Sequence, residues 1–127
     1  MILFHYTDWQ GYNGIKKDGL FPSIDTEIDA YAGPGWYFTD LEPNECDLLI
    51  MKACWEKKVP IKKISYYFKY DIHGNAVTEF RPHSFIVNIE SAAKFKLKGL
   101  GEKPICELKE NYNNCEGCEL NPFKEEE

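Results

Sequence analysis

The chain has 127 residues, one ordinary domain's worth. Its hydrophobic share of 43% and aromatic share of 15% supply enough large side chains for a core at this length. Lys and Arg number 15 against 21 Asp and Glu, a formal net charge of −6, which argues against sequence-independent nucleic-acid binding and against docking on anionic membranes, since both need a basic footprint. No apolar run approaches the roughly 18 residues of a membrane span. Met1–His5 lacks the basic and long apolar parts of a secretory signal. A cytoplasmic chain is therefore expected, with its five cysteines, Cys46, Cys54, Cys106, Cys115 and Cys118, as free thiols.

Ile2–Tyr6 is a short apolar run that suits a buried strand. Asp8 is placed to cap a short helix over roughly Trp9–Lys17. Gly19 ends it, and Lys16 and Lys17 sit in its last turn, where the helix dipole favours cations. Phe21-Pro22-Ser23 leads into an acidic loop, Ile24–Ala32, whose Asp25, Glu27 and Asp29 lack the glycine and distal glutamate of a calcium loop. Gly33–Asp40 reads as a tight turn feeding a short aromatic strand. A helix is expected to open at Pro43 and run to about Lys57, with Leu48, Met51 and Trp55, and Ile50 and Cys54, on an apolar face; Pro60 closes it.

Ile64–Ile72 is the longest strand candidate, His73-Gly74-Asn75 a turn, and Ala76–Phe80 a strand pairing back. Phe85–Ile89 reads as a further strand, and Lys94–Lys98, alternating Lys-Phe-Lys-Leu-Lys, as a half-exposed edge strand. Ile105–Leu108 is a last short element, and the chain from Asn111 is a polar, acidic tail. Two helices early and many strands late give an α+β domain over residues 1–110 with a mainly antiparallel core, followed by a tail over 111–127.

Two segments carry chemical information. In Gly33–Asp40 two glycines flank a proline, so the backbone can turn sharply and approach a ligand closely. Tyr37 and Phe38 follow on opposite faces of the strand, so one ring faces the core and the other a cleft or solvent. The second segment is Phe4-His5-Tyr6-Thr7-Asp8, with His5 at the end of the first strand. Taken singly, each also reads as structure: a turn with two core aromatics, and a strand-end histidine.

Together they resemble a known family. Leu3-Phe4-His5-Tyr6-Thr7 resembles the first motif of ADP-ribosyltransferases, and Gly33-x-Gly35-x-Tyr37-Phe38-Thr39-Asp40 resembles a segment of the poly(ADP-ribose) polymerases. The order of Gly19, Pro22-Ser23 and Asp29-Ala30 through Leu41-Glu42-Pro43 resembles the small HYD-type ADP-ribosyltransferase domains of bacterial polymorphic toxins. The match covers about the first third of the chain.

That resemblance implies a split β-sandwich of two packed sheets, NAD as substrate, and transfer of ADP-ribose or hydrolysis of NAD. It implies that His5 bonds a ribose hydroxyl, that the backbone of Tyr6 and Thr7 holds the nicotinamide amide, and that Tyr37 stacks on the nicotinamide ring. Gly35 and Phe38 complete the binding set, and Asp40 is the acidic member of the catalytic set His5, Tyr37 and Asp40, with Asp29 beside it as an alternative. The acceptor is left open between protein, nucleic acid and water. Classical members place a glutamate on a later strand; over Arg81–Val87 that place is held by His83 or Ser84, with Glu79 upstream and Glu90 downstream. Either Asp40 supplies the charge, or Glu79 or His83 takes the third position, or activity is lost and the domain binds a nucleotide or a protein. Polymer synthesis is not expected.

Cys115-Glu-Gly-Cys118 has the spacing of a zinc half-site, to which Cys106 could add a third ligand; the alternative is a thiol pair in a loose tail. Lys94, Lys96 and Lys98 form a basic face that keeps an edge strand soluble or touches the pyrophosphate of NAD or a nucleic-acid acceptor.

Overall fold

Short runs of alternating large apolar and polar side chains pair into strands along most of the chain, in a computed structural model that describes residues 1–24 and 32–104. The strands are β1 (Ile2–Thr7), β2 (Gly35–Thr39), β3 (Tyr66–Asp71), β4 (Thr78–Arg81), β5 (Ser84–Asn88) and β6 (Lys96–Glu102). The helices are α1 (Trp9–Asp18) and α2 (Asp47–Trp55), with single 3-10 turns at Ile61–Ile64 and Gly74–Ala76. All six strands form one antiparallel sheet in the order β4-β5-β2-β1-β3-β6.

The α+β class and the antiparallel pairing are as expected, but the two packed sheets are not: the described residues hold a single sheet. The reason is that β3 pairs with β1 on one side and with β6 on the other, so the late strands extend the first sheet instead of starting a second. β6 takes an outer edge, where its exposed Lys96 and Lys98 blunt further pairing. These lysines lie near Asp71, whose carboxyl is held below the ordinary range, chiefly by a 3.1 Å bond from the Met1 ammonium.

The sheet is thin at its middle. β1 pairs with β3 along its whole length, Ile2↔Asp71 to Thr7↔Tyr66, and β2 pairs with β5 from Gly35↔Asn88 to Thr39↔Ser84. β1 meets β2 only at Phe4↔Thr39. Beyond that pair the strands part, and the backbone groups that would bond across the gap must find other partners.

Both faces are covered. On one, Leu3, Phe38, Phe68, Phe85 and Val87 pack beneath Tyr12 of α1. On the other, Phe4 and Tyr6 pack against Leu48, Ile50 and Met51 of α2. Leu3, Leu48, Ile50 and Met51 have no exposed surface, and each such side chain stabilises the fold by about 1.5–3 kcal/mol relative to solvent.

α1 forms where its end signals place it. Asp8 Oδ1 accepts the Gly11 amide at 2.8 Å, and Gly19, at φ 86°, donates its amide to the Ile15 carbonyl. Gly11 is required for a further reason: a Cβ there would stand 2.0 Å from the Thr7 hydroxyl, so α1 sits directly on the end of β1.

α2 departs from expectation. It begins at Asp47 rather than Pro43, because Glu42–Glu45 forms a separate turn closed by the Glu45 amide on the Glu42 carbonyl. It ends at Trp55, with Glu56 in the left-handed region at φ 58°. Its first residue is fully buried and paired with the buried Lys103, which also donates to the Pro104 carbonyl at 2.7 Å.

The free-thiol expectation holds for Cys54 and fails for Cys46, which is disulfide-bonded. Cysteine count and the lack of a signal bear on compartment, not on which sulfurs come within bonding distance. Expectations for Asp25, Glu27 and Asp29, for Ile105–Leu108, for Cys106, Cys115 and Cys118 and for the tail lie outside the described residues. Among the described residues no group of three metal-ligating side chains is assembled, and no helix is long and apolar enough to cross a membrane.

Candidate functional site

Where β1 and β2 part, a cavity of about 250 Å³ opens between them. His5, Tyr37, Tyr6 and Thr7 all line it, and so does Phe38, although Phe38 is committed to the core at 5% exposure. The remaining walls come from Cys54 and Trp55 at the end of α2, Phe80 and Arg81 of β4, and Ser84 of β5. Asp8, Ser23 and Lys63 add polar groups.

His5 bridges the parted strands. Its Nδ1 lies 3.2 Å from the Tyr37 carbonyl. A carbonyl only accepts, so Nδ1 carries the proton and donates, and in the neutral ring Nε2 is left as an acceptor. Burial pushes the imidazole below its ordinary value of 6.5, an effect the Tyr37 carbonyl partly opposes. The neutral ring is therefore the working form near pH 7, and the backbone bond selects its tautomer. The Tyr37 carbonyl has no ladder partner on β1, and the imidazole satisfies it.

This arrangement has a pH signature. The folded-state pKa of His5 lies below that of the unfolded chain, so the unfolded state takes up the proton first. His5 thus contributes stability that is fully present above about pH 6.5 and is lost as pH falls through the lower folded value. Denaturant midpoints of the protein should decline between pH 7 and pH 5, and that decline should be shallower in His5→Gln, which has no proton to gain.

Tyr37 is held by its hydroxyl, which donates to the Gly33 carbonyl at 2.5 Å and accepts the Ala32 amide at 2.8 Å. Burial raises the phenol pKa, so it remains a donor. Its ring meets Phe80 edge-on at 5.5 Å and is fixed as a cavity wall. Phe38 turns the other way, into the core beside Tyr70 and Phe95, so the strand divides its two rings between cleft and core.

Gly33 has φ 98°, which a turn glycine supplies without strain. Gly35 is not among the cavity walls. A Cβ there would stand 2.3 Å from the Val87 carbonyl, so its bareness serves the close packing of β2 on β5. Tyr6 is a core residue whose hydroxyl donates to the Leu41 carbonyl at 2.7 Å. The backbone of His5–Thr7 has β3 on one side and the open gap on the other, so alternate amide groups face the cavity.

Asp40 is not brought together with His5 and Tyr37. It lies three residues beyond Tyr37, about 10 Å along an extended chain, beside a separate groove with Glu42 and Glu45. There Asp40 Oδ1 meets His83 Nδ1 at 2.7 Å. His83 has φ 62°, and Glu79 Oε2 accepts its amide at 3.3 Å. Of the residues at the expected glutamate position, Ser84 reaches the cavity and His83 does not. Lys96 and Lys98, on the outermost strand, are not among the cavity walls.

Sequence does not single out Arg81 or Lys63, and it names Ser84 only as one occupant of the expected glutamate position. Arg81 Nη2 donates to the Ala53 carbonyl at 2.9 Å, its guanidinium lies over the Phe80 ring, and Ser84 Oγ donates to the same carbonyl. These bonds tie the end of α2 to β4 and β5. Cys54 is half-buried at the cavity wall, and burial pushes its thiol up to about 12 against the opposing influence of Arg81, so the protonated form is favoured near neutrality. Lys63 and Arg81 bring two cationic side chains to the cavity wall, beside the carboxylate of Asp8.

No protein-family model, no curated protein and no solved structure matches this chain.

Proposed function

We propose that this chain is an ADP-ribosyltransferase-like domain that binds NAD in the gap between β1 and β2 and cleaves its nicotinamide–ribose bond. The observation that carries the reading is the convergence of His5 and Tyr37, 32 residues apart, on one cavity through a direct hydrogen bond. The parting of β1 from β2 is read as the split of that fold, with β4-β5-β2 and β1-β3-β6 as its two halves.

The chemistry of the walls fits. A cavity of about 250 Å³ is below the size that encloses a drug-sized ligand. It suits the nicotinamide–ribose end of a dinucleotide, with the rest lying outside. Nε2 of His5 accepts from a ribose hydroxyl, the fixed ring of Tyr37 offers a stacking face, and gap-facing backbone amides suit a carboxamide. Lys63 and Arg81 suit the pyrophosphate. Loss of nicotinamide passes through an oxocarbenium-like state, so holding the ribose and the leaving group in line is where these contacts act.

The test is direct. Incubation of the full chain with NAD should release nicotinamide, and NAD should raise the melting temperature. A chain that neither releases nicotinamide nor shifts its melting temperature would refute the reading. The scarcity of acidic groups in the cavity favours a second reading, a nucleotide-binding module without turnover. A melting shift without nicotinamide release selects it.

A further inference from the structure

Cleavage of the nicotinamide–ribose bond builds positive charge on the ribose, and a carboxylate near that carbon is the simplest way to stabilise it. Asp40 lies in the neighbouring groove with His83, Glu79 is bonded to the His83 amide, and Glu56 stands exposed 3.7 Å from Arg81. Among the described residues that line the cavity, Asp8 alone is acidic.

Resting on the function proposed above, we propose that Asp8, read from sequence only as a helix cap, is the catalytic carboxylate of this site. Three observations support it. Asp8 follows His5 by three residues and lines the same cavity. Its Oδ1 is held by the Gly11 amide at 2.8 Å, and Oδ2 has no partner among the described residues. The seat of that bond is close-packed: a Cβ at Gly11 would stand 2.0 Å from the Thr7 hydroxyl. One oxygen therefore fixes the side chain, and the other is left to meet a ligand in the cavity that Asp8 lines, at no further ordering cost.

With water as acceptor the step balances as follows. The bond from ribose C1′ to nicotinamide N1 breaks, and its electron pair leaves with the now neutral nicotinamide. The water oxygen bonds C1′, and its proton passes to bulk water. Asp8 Oδ2 faces C1′ while the positive charge lasts and is itself unchanged at the end.

Asp8→Asn separates the two duties of the residue, because Asn caps a helix about as well as Asp but carries no charge. In Asp8→Asn, and in Asp8→Ser as a second cap-competent variant, kcat for nicotinamide release should fall about a hundredfold. The melting temperature and the KM for NAD should stay near those of the parent. Release within twofold of the parent in both variants, or a comparable loss confined to Asp40→Asn, overturns the assignment of Asp8 and leaves the proposed function standing. A parent chain that neither binds nor cleaves NAD overturns both.

Discussion

His5→Ala should reduce nicotinamide release by one to two orders of magnitude and weaken NAD binding in the same preparation. On the proposed function, the substitution removes the Nε2 acceptor for a ribose hydroxyl, a hydrogen bond worth about 1–3 kcal/mol where the partner would otherwise be left unsatisfied, which is roughly tenfold to a hundredfold in rate. It also strips the Tyr37 carbonyl of its donor at the point where β1 and β2 have already parted. Both losses act on one cavity wall, so the turnover defect should exceed that of Tyr37→Phe. That variant keeps the ring and gives up only the two hydroxyl bonds to Ala32 and Gly33. Steady-state kinetics on the three proteins decides the order; a His5→Ala variant as active as the parent would remove the imidazole from the mechanism.

The largest loss of stability is expected at Lys103→Met. Lys103 and Asp47 are 4% and 0% exposed, and the ammonium bonds the carboxylate directly. Burying either charge is costly, and removing one partner of such a pair destabilises by about 3–5 kcal/mol because the other stays behind in a poorly solvating site. Against a typical domain stability of about 5–15 kcal/mol, that is enough to shift a urea midpoint visibly. The double variant Lys103→Met with Asp47→Leu should recover most of it, since matched apolar side chains of similar volume often replace a buried pair without loss. If the double variant unfolds as readily as the single one, the pair matters for its geometry at the start of α2 and not for its charges.

The parts of the fold legible in the sequence are those governed by local rules. α1 is fixed by Asp8 and Gly19, one a cap and the other a left-handed stop, and both act within a few residues. The strands around Tyr66–Asp71 and Ser84–Asn88 announce themselves by runs of aromatic and branched side chains. What stayed hidden depends on partners distant in sequence. The start of α2 is tied to Lys103, 56 residues on, and no local pattern signals it. That β3 joins β1 to β6, so that two expected sheets become one, is a matter of pairing and not of propensity.

The site divides in the same way. The motifs around His5 and Tyr37 single out two residues that line one cavity. Asp40 belongs to the same sequence run, yet β2 ends one residue before it and the chain has left the gap. Arg81 and Lys63 arrive from elements that carry no recognisable motif, and Ser84 is visible only as one occupant of the expected glutamate position. Local sequence marks Asp8 as the cap of α1, and only the packing of β1, α1 and α2 brings it to the cavity wall.

A single rung joins the two halves of the sheet, the imidazole of His5 bridges the gap beyond it, and the backbone of Ser23 pairs with Gly35 at the far end of β2. Between those two backbone contacts the aperture is lined largely by exchangeable side chains. Substitutions at its lip can widen, narrow or recharge it while every rung on either side persists. A domain built in this way can drift from one clientele to another by point changes alone, its architecture untouched.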